Sequence, residues 1–328
     1  MTAVPLTFEA VCDAAVRLRG VTVRTPLLHS PAIDARTGGS VLIKAEALQR
    51  MGSFKLRGAY NRLAQIPSGD RARGAVAFSS GNHAQGVAYA ARLLAMPAVI
   101  VMPADAPQAK IAATTALGAE IVLYDRVHED REAIAQAIAA ERGAALVPSY
   151  DDPAIIAGQG TVGLEAMEQA ADLGLVPDQI VCCASGGGLL AGIALAARAL
   201  QPGIALIAAE PAGHDDLARS LEAGARVANP AGVRSACDAL LAATPGALTF
   251  PILAEAGATG VGAHDDAVFD AMALAYRTLG LVLEPGGAAA VASVLAGKVE
   301  TAGRVTIVIA SGGNVDPGMF AQALTRFG

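Results

Sequence analysis

The chain has 328 residues, of which 53% are hydrophobic and 16% charged, with a formal net charge of −6. Its length suits one two-lobed unit or two domains with a large buried core. Because the charge balance is acidic and no basic run occurs, nucleic acid and anionic membranes are disfavoured as partners, and we expect a small-molecule ligand.

The termini and cysteines favour a cytoplasmic protein. The start, MTAVPLTFEA, has no basic segment followed by an apolar one, so no signal peptide is indicated. The longest apolar run, residues 180–197, is interrupted by glycines at its centre and predicts a strand, a loop and a helix rather than a membrane span. The four cysteines show no metal-ligand spacing, so we expect reduced thiols.

The hydrophobic pattern predicts an α/β fold. Short β-branched runs alternate with Ala/Leu-rich stretches of helical length. Near-continuous apolar strands joined by helices indicate parallel sheets that are covered on both faces. Strands are predicted, in chain order, at residues 41–45, 75–80, 98–103, 120–125, 179–185, 204–211 and 304–311. The turn-rich segment 147–161 predicts a boundary between lobes.

Four predicted strands are followed by polar or glycine-rich segments. These segments are SSGNHAQG (79–86), SGGGLLAG (185–192), PAGHDD (211–216) and SGGNVD (311–316). Ligands bind outside the carboxyl ends of strands in open parallel sheets. We therefore expect the four segments to form a site.

The segment at Ser185 and Gly186 to Gly188 has the properties of an anion-binding loop. It joins a strand directly to a helix, so backbone N–H groups and the helix N-terminus can converge on a phosphate. A tight turn that needs glycine for close packing explains the same residues equally well. The loop matches neither G-x-x-x-x-G-K-[ST] nor G-x-G-x-x-G, which leaves a smaller phosphorylated cofactor.

Lys55, in GSFKLRGA, gains a role if that cofactor is pyridoxal phosphate, which needs a lysine for its Schiff base and a phosphate cradle. Eight segments, in order, resemble the threonine/serine dehydratases and serine racemases, pyridoxal-phosphate enzymes of fold type II related to the tryptophan synthase β chain. They are SFKLRGA, SSGNHAQGVAYAA, MPADAPQAK, DDPAIIAGQGT, SGGGLLAG, EPAGHDD, LVLEPGGAAA and SGGNVD.

This resemblance implies two lobes, each with a mostly parallel sheet flanked by helices. Residues 1–73 and 152–328 would form the large cofactor-binding domain and residues 74–151 a small mobile domain. We also expect a homodimer.

The resemblance further implies the roles of individual residues. Lys55 and Ser80 would be catalytic, Lys55 as carrier of the cofactor and base for the Cα proton and Ser80 as a second acid/base on the opposite face. The cofactor would be bound by Phe54, Lys55, Asn82, Ser185, Gly186, Gly187, Gly188 and Ser311, with Asn82 on its O3′ and Ser311 facing the pyridine nitrogen. The substrate carboxylate would be held by Ser79, Ser80, Gly81, Asn82 and His83.

A second site is expected in EPAGHDD. Glu210, Asp216 and the backbone carbonyl of His214 supply hard oxygen ligands that suit Mg²⁺ or Ca²⁺, and metal-dependent relatives use this segment in that way. A solvated acidic turn is the equally weighted alternative. Arg131, in a helix whose charges resemble a solvated face, is left out of the site.

The sequence therefore predicts a dehydratase (ammonia-lyase) that converts L-threonine or L-serine to a 2-oxo acid and ammonia by β-elimination. Alternatives with the same motifs are a serine or aspartate racemase and a 3-hydroxyaspartate dehydratase. A β-replacement enzyme is disfavoured by His83 after Asn82, and a non-catalytic nucleotide-binding module leaves Lys55 without a role. Two departures from many relatives, Ser185 for a glycine and Val147-Pro148-Ser149-Tyr150 for a His-Pro pair, concern the subfamily.

Overall fold

The computed structural model describes residues 6–106, 108–230 and 232–328, and two mainly parallel sheets organise the fold. The strands are β1 (Leu27–His29), β2 (Ser40–Ala45), β3 (Ala75–Phe78), β4 (Ala98–Pro103), β5 (Glu120–Tyr124), β6 (Ala145–Leu146), β7 (Gln179–Cys183), β8 (Ala205–Pro211), β9 (Thr259–Ala263) and β10 (Val305–Ala310).

Helices cover both sheets. They are α1 (Phe8–Leu18), α2 (Pro31–Thr37), α3 (Lys55–Ala64), α4 (Asn82–Leu93), α5 (Gln108–Ala116), α6 (Arg131–Arg142), α7 (Pro153–Asp172), α8 (Gly188–Leu200), α9 (Asp216–Ala223), α10 (Thr249–Glu255), α11 (Asp265–Leu279), α12 (Pro285–Leu295) and α13 (Pro317–Phe327). Short 3₁₀ turns span Glu46–Leu48, Arg50–Gly52, Ser68–Arg73 and Asp238–Leu240.

The larger sheet has the strand order β1-β2-β10-β7-β8-β9. Only β1 runs antiparallel to its neighbour, and β10 lies between β2 and β7, pairing in parallel with both. The apolar strands β7 and β10 are buried along nearly their whole length, as expected for parallel strands with helices on both faces.

The smaller sheet has the order β5-β4-β3-β6, is parallel throughout, and is built entirely from residues 75–146. The α/β fold with two parallel sheets flanked by helices is confirmed. The proposed division into a large domain and a small mobile one, with bounds at 73/74 and 151/152, stays a prediction.

All seven predicted strands are present, with ends within two residues of the predicted ones. Three strands, β1, β6 and β9, were not predicted. Strands β1 and β6 have only three and two residues, too few for a periodic pattern. Strand β9 reads TGVGA, and its two glycines weaken the strand signal.

The long apolar run divides as expected, because β7 ends at Cys183 and α8 begins at Gly188. Within the three described ranges, no helix combines the length and hydropathy needed to span a membrane. All four cysteines are free thiols.

A buried ionic network fixes helix α3 against the large sheet. Arg57 has a fully buried side chain and binds both carboxylate oxygens of Glu46 at 2.8 Å. It also contacts both oxygens of Glu165 at 2.8 Å, and the buried Lys44 amine lies 2.8 Å from the same carboxylate. Because each charge has an opposite partner, the network holds α3, which begins at Lys55, in one position.

Candidate active site

A cavity of about 700 Å³ lies where strands of both sheets end. The loops after β3, β7 and β10 reach it from the carboxyl ends of these strands. It is lined by every residue predicted to bind cofactor or substrate: Phe54, Lys55, Ser79, Ser80, Gly81, Asn82, His83, Ser185, Gly186, Gly187, Gly188 and Ser311. The structure thus brings together segments far apart in the chain, while the roles of the individual residues remain predictions.

Lys55 is the first residue of α3 and faces the cavity. The N–H of Phe54 donates to the Ser311 carbonyl at 3.2 Å, which ties the start of the helix to the end of β10. The Lys55 amine donates to the Ser149 carbonyl at 2.9 Å and lies 5.2 Å from the Phe54 ring centroid. Burial lowers the pKa of this amine to about 8, so about a tenth of it is neutral at pH 7, far more than for an exposed lysine.

The loop Ser79–Gly81 connects β3 to α4, which begins at Asn82. The Ser79 hydroxyl accepts a hydrogen bond from the Gly81 N–H at 3.2 Å. N–H groups and hydroxyls at a helix N-terminus suit a carboxylate. The predicted carboxylate site therefore has suitable donors.

His83 is uncharged in this site. Its ring is 3% exposed, and burial together with the nearby Lys55 lowers its pKa to about 3. Nε2 lies 2.9 Å from the Val147 carbonyl, which can only accept, so the proton resides on Nε2. In this tautomer His83 has no N–H left for a substrate carboxylate. Carboxylate binding by the preceding residues of the loop stays a prediction, and so does the contact of His83 itself, which requires the other tautomer.

The glycine loop Ser185–Gly188 has both of the properties considered from the sequence, a tight turn and backbone donors for an anion. Gly187 has φ +88° and precedes α8, a backbone conformation that L side chains rarely adopt. A Cβ at Gly186 would overlap the Tyr150 ring. Within the described part of the chain, the N–H groups of Gly186 to Gly188 have no acceptor. The glycines are needed for the turn, and their free donors also suit an anion.

Ser311 follows β10 and is nearly buried. Its hydroxyl lies 3.0 Å from the thiol of Cys183, which ends β7 and lines the cavity. Neither group carries a fixed charge, so this end of the cavity offers hydrogen bonding without an ionic partner, as expected for a neutral pyridine nitrogen.

The cavity also contains functional groups that sequence reasoning did not assign. Arg131 lines it, with its guanidinium 5.5 Å from the Phe78 ring centroid. Lys110 and Asp238 both line it and form a 3.0 Å ion pair. Glu284 and Asn314 also line it. Both occur in segments that carry the family resemblance, LVLEPGGAAA and SGGNVD, which was the available signal.

The predicted metal ligands lie outside this cavity. Glu210 accepts hydrogen bonds from the N–H groups of Leu217 and Ala218 at 3.0 and 2.8 Å. Burial raises its pKa to about 8 and that of Asp216 to about 6. One Asp216 oxygen, Oδ2, is buried without a partner among the described residues. Two buried acids with an unused oxygen suit a cation. The described His, Cys, Asp and Glu side chains form no cluster of three metal ligands, and the His214 carbonyl as a further ligand stays a prediction.

We predict that Mg²⁺ or Ca²⁺ stabilises the protein through Glu210, the His214 carbonyl and Asp216. An ion at about a hundred times its dissociation constant should add roughly 2.7 kcal/mol to the free energy of unfolding. Thermal melts with MgCl₂, CaCl₂ and NaCl at equal ionic strength measure this, with Asp216→Asn expected to remove the divalent effect. Equal melting temperatures in all three salts, with no metal found by elemental analysis, would reject the site.

Pyridoxal phosphate fits the cavity on these observations. The free N–H groups of the glycine loop suit its phosphate, and the Lys55 amine lies in the same cavity with a lowered pKa. The hydroxyl of Ser311 and the amide of Asn82 supply neutral polar groups for the ring substituents.

Comparisons with known proteins agree with this geometry. Residues 18–312 match the family described as pyridoxal-phosphate dependent enzyme. An L-threo-3-hydroxyaspartate ammonia-lyase from Pseudomonas sp is 43% identical, over 97% of this chain and 98% of its own. A threonine deaminase from T.th. superposes with a TM-score of 0.89 at 41% identity, covering 94% of this chain and 99% of its own.

Maize serine racemase superposes with a TM-score of 0.90 at 36% identity, covering 98% of this chain and 97% of its own. These similarities extend over nearly the whole chain. The chain therefore belongs to the family of pyridoxal-phosphate-dependent enzymes.

Proposed function

We propose that this protein is an ammonia-lyase that converts L-threonine or L-serine to a 2-oxo acid and ammonia by β-elimination. The observation that supports the proposal is that the Lys55 amine, the loop Ser79–Gly81 and the glycine loop Ser185–Gly188 line one cavity. The two loops are predicted to bind the substrate carboxylate and the cofactor phosphate. A hydroxy amino acid bound through its carboxylate at the first loop lies within the same enclosure as the base.

Each part of the cavity has a distinct task in this proposal. Pyridoxal phosphate, when bound, supplies an electron sink for the pair left on Cα after proton removal. Lys55 takes the Cα proton, and its pKa of about 8 keeps part of the amine neutral near physiological pH. The Ser79–Gly81 loop orients the substrate, and the neutral His83 supports that loop through Val147. The β-hydroxyl leaves as water by taking up a proton equivalent to the one removed from Cα. The enamine product that is released tautomerises to an imine, which a second water hydrolyses to the 2-oxo acid and ammonia.

The proposal is tested with a panel of L- and D-serine, L-threonine and both L-3-hydroxyaspartate diastereomers. The measured quantities are 2-oxo acid, ammonia and the enantiomer of residual substrate. Equimolar 2-oxo acid and ammonia from L-serine or L-threonine is the expected result. No 2-oxo acid from any member of the panel would reject an ammonia-lyase.

A second candidate substrate is 3-hydroxyaspartate, the substrate in the name of the 43% identical relative. The cavity wall carries two cationic side chains, Lys110 and Arg131. Lys110 is paired with Asp238 at 3.0 Å, whereas Arg131 has no carboxylate within 4.0 Å among the described residues. A guanidinium without a carboxylate partner suits the second carboxylate of such a substrate. The same panel compares kcat/KM for 3-hydroxyaspartate with that for L-serine.

Ser80 distinguishes elimination from racemisation. Its hydroxyl lines the cavity and, within the described ranges, has no hydrogen-bond partner. Elimination from an L-substrate needs only the base Lys55, whereas racemisation needs a second acid/base on the other face. Ser80→Ala should therefore reduce the rate of any L-to-D conversion by roughly 10²-fold or more. The same variant should retain much of the L-serine dehydration.

Assays of 2-oxo acid and of D-serine on the same Ser80→Ala preparation measure both reactions. If both activities and cofactor content fell together, Ser80 would only support its loop. Undiminished racemisation would exclude it as the second acid/base.

The expected homodimer is likewise a proposal, which sedimentation of the purified holoenzyme tests.

A further inference from the structure

Asn82 is held between two polar side chains that come from the other end of the chain. Asn314 Nδ2 donates to Asn82 Oδ1 at 2.7 Å, and Asn82 Nδ2 donates to Glu284 Oε1 at 2.5 Å. Asn314 Nδ2 also donates to the Met51 carbonyl at 2.7 Å. We call these four groups, the Met51 carbonyl, Asn314, Asn82 and Glu284, the amide relay.

The direction of the relay is set by the Met51 carbonyl. A backbone carbonyl only accepts hydrogen bonds, so the Asn314 atom that faces it must be the side-chain amide nitrogen, Nδ2. The second N–H of that nitrogen points to Asn82, whose amide oxygen is thereby used as the acceptor. The amide nitrogen of Asn82 consequently faces Glu284, and its second N–H is not used by that contact.

The backbone around the relay leaves it little freedom. Met51 adopts φ +64°, which is uncommon for a residue with a side chain, and this turn presents its carbonyl to Asn314. A Cβ at Gly52 would overlap Asn314 Oδ1, and one at Gly312 would overlap Glu284 Oε1. Strained backbone persists only where its surroundings fix it. The relay is therefore a tightly packed part of the cavity wall.

Glu284 ends the relay and is only 5% exposed. Burial raises its pKa to about 7, and the charged groups facing it are Asp238, Lys110 and Lys55. An ionised carboxylate only accepts hydrogen bonds, so it fixes the Asn82 amine in place. A protonated carboxyl can donate, and the direction at Asn82 is then no longer enforced from this side.

We propose that Asn314 and Glu284 are positioning residues that force Asn82 to present a hydrogen-bond donor, and never an acceptor, to the cavity. This inference rests on the proposed use of the cavity as the cofactor site. Asn82 then selects an acceptor oxygen of the cofactor and rejects a competing donor. The relay also connects the turn immediately before Lys55 to the loop that binds the substrate carboxylate.

The test compares Asn314→Asp with Asn314→Ala. Aspartate has nearly the shape of asparagine but places an acceptor against both the Met51 carbonyl and Asn82 Oδ1. Alanine only removes the donor. If the hydrogen-bond donor of Asn314 sets the direction of the relay, Asn314→Asp should weaken cofactor binding at least tenfold. It should also weaken binding more than Asn314→Ala does. A merely space-filling role predicts the reverse order.

The readouts are the dissociation constant of pyridoxal phosphate, from isothermal titration calorimetry of the apoenzyme, and the position of the visible band of the holoenzyme. Glu284→Gln should flatten the part of the pH dependence of cofactor affinity that lies near pH 7, because the parent loses the enforced direction as pH falls and Glu284 is protonated. Gln179→Glu is the matched control, because the buried Gln179 amide donates to the Glu300 carbonyl at 2.8 Å and does not line the cavity. This substitution should lower only the melting temperature.

Cofactor affinity in Asn314→Asp within threefold of the parent, or milder damage than in Asn314→Ala, would overturn the relay. An unchanged pH profile in Glu284→Gln would overturn the part assigned to Glu284. If the parent bound no cofactor at all, the proposed function would fail first, and this outcome is seen before any variant is made.

Discussion

Replacing Lys55 with alanine should reduce ammonia-lyase activity by roughly 10³-fold or more, because both the attachment of the cofactor and the base for the Cα proton are lost. The melting temperature should change little, since the amine makes one hydrogen bond, to the Ser149 carbonyl. Initial rates of 2-oxo acid formation at saturating cofactor measure the effect. Lys298→Ala is the control, because Lys298 is exposed and does not line the cavity.

The attachment itself can be located chemically. The chain has only four lysines, Lys44, Lys55, Lys110 and Lys298. Borohydride reduction followed by peptide mapping should place the cofactor on Lys55, and modification of the apoenzyme amine should have a midpoint near its lowered pKa of about 8. Cofactor on another lysine, or activity retained in Lys55→Ala, would refute the assignment.

Replacing Arg57 with methionine should lower the free energy of unfolding by about 3–5 kcal/mol. The substitution leaves the carboxylates of Glu46 and Glu165 without the guanidinium that contacts both, and Glu46 is fully buried. Urea unfolding followed by circular dichroism measures the loss. Since Lys55 lies two residues earlier on the same helix, cofactor affinity should fall as well.

Arg142→Met is the matched control for this experiment. Arg142 also forms a two-oxygen contact, with Glu120 at 2.7 and 2.9 Å, but both side chains are about half exposed. Exposed pairs contribute about 0–1 kcal/mol. Equal losses in the two variants would show that the buried network has no special role in holding α3.

The sequence predicted those parts of the site in which polar or glycine-rich residues directly follow a strand. Ser79–His83, Ser185–Gly188 and Ser311 lie at strand ends, and a parallel sheet brings such ends to one edge, so their proximity could be anticipated. Lys55 was found through its motif and through the need of a phosphorylated cofactor for an amine. These residues all line the cavity.

Other parts of the site depend on tertiary packing. Glu284 and Asn314 contact Asn82 although they lie 202 and 232 residues away in the chain, and no local periodicity encodes such contacts. The charged residues next to Arg131 in the sequence predict a solvated helical face. Arg131 is, however, the first residue of α6, and this position puts it on the cavity wall. The neutral state of His83 follows from its burial and from the nearby Lys55, and its tautomer follows from the Val147 carbonyl. None of these contacts is visible in SGNHAQ.

The position of β10 between β2 and β7 has a consequence for biosynthesis. During translation, β2 emerges early but must wait about 260 residues for its parallel neighbour, whereas the four-stranded sheet can close once residue 146 is available. Pairing over such sequence separations is slow and leaves strand edges exposed in the meantime. The nascent chain should therefore depend on chaperones chiefly for its first 50 residues, so the segment that leads to Lys55 is synthesised among the first and is paired into its sheet among the last.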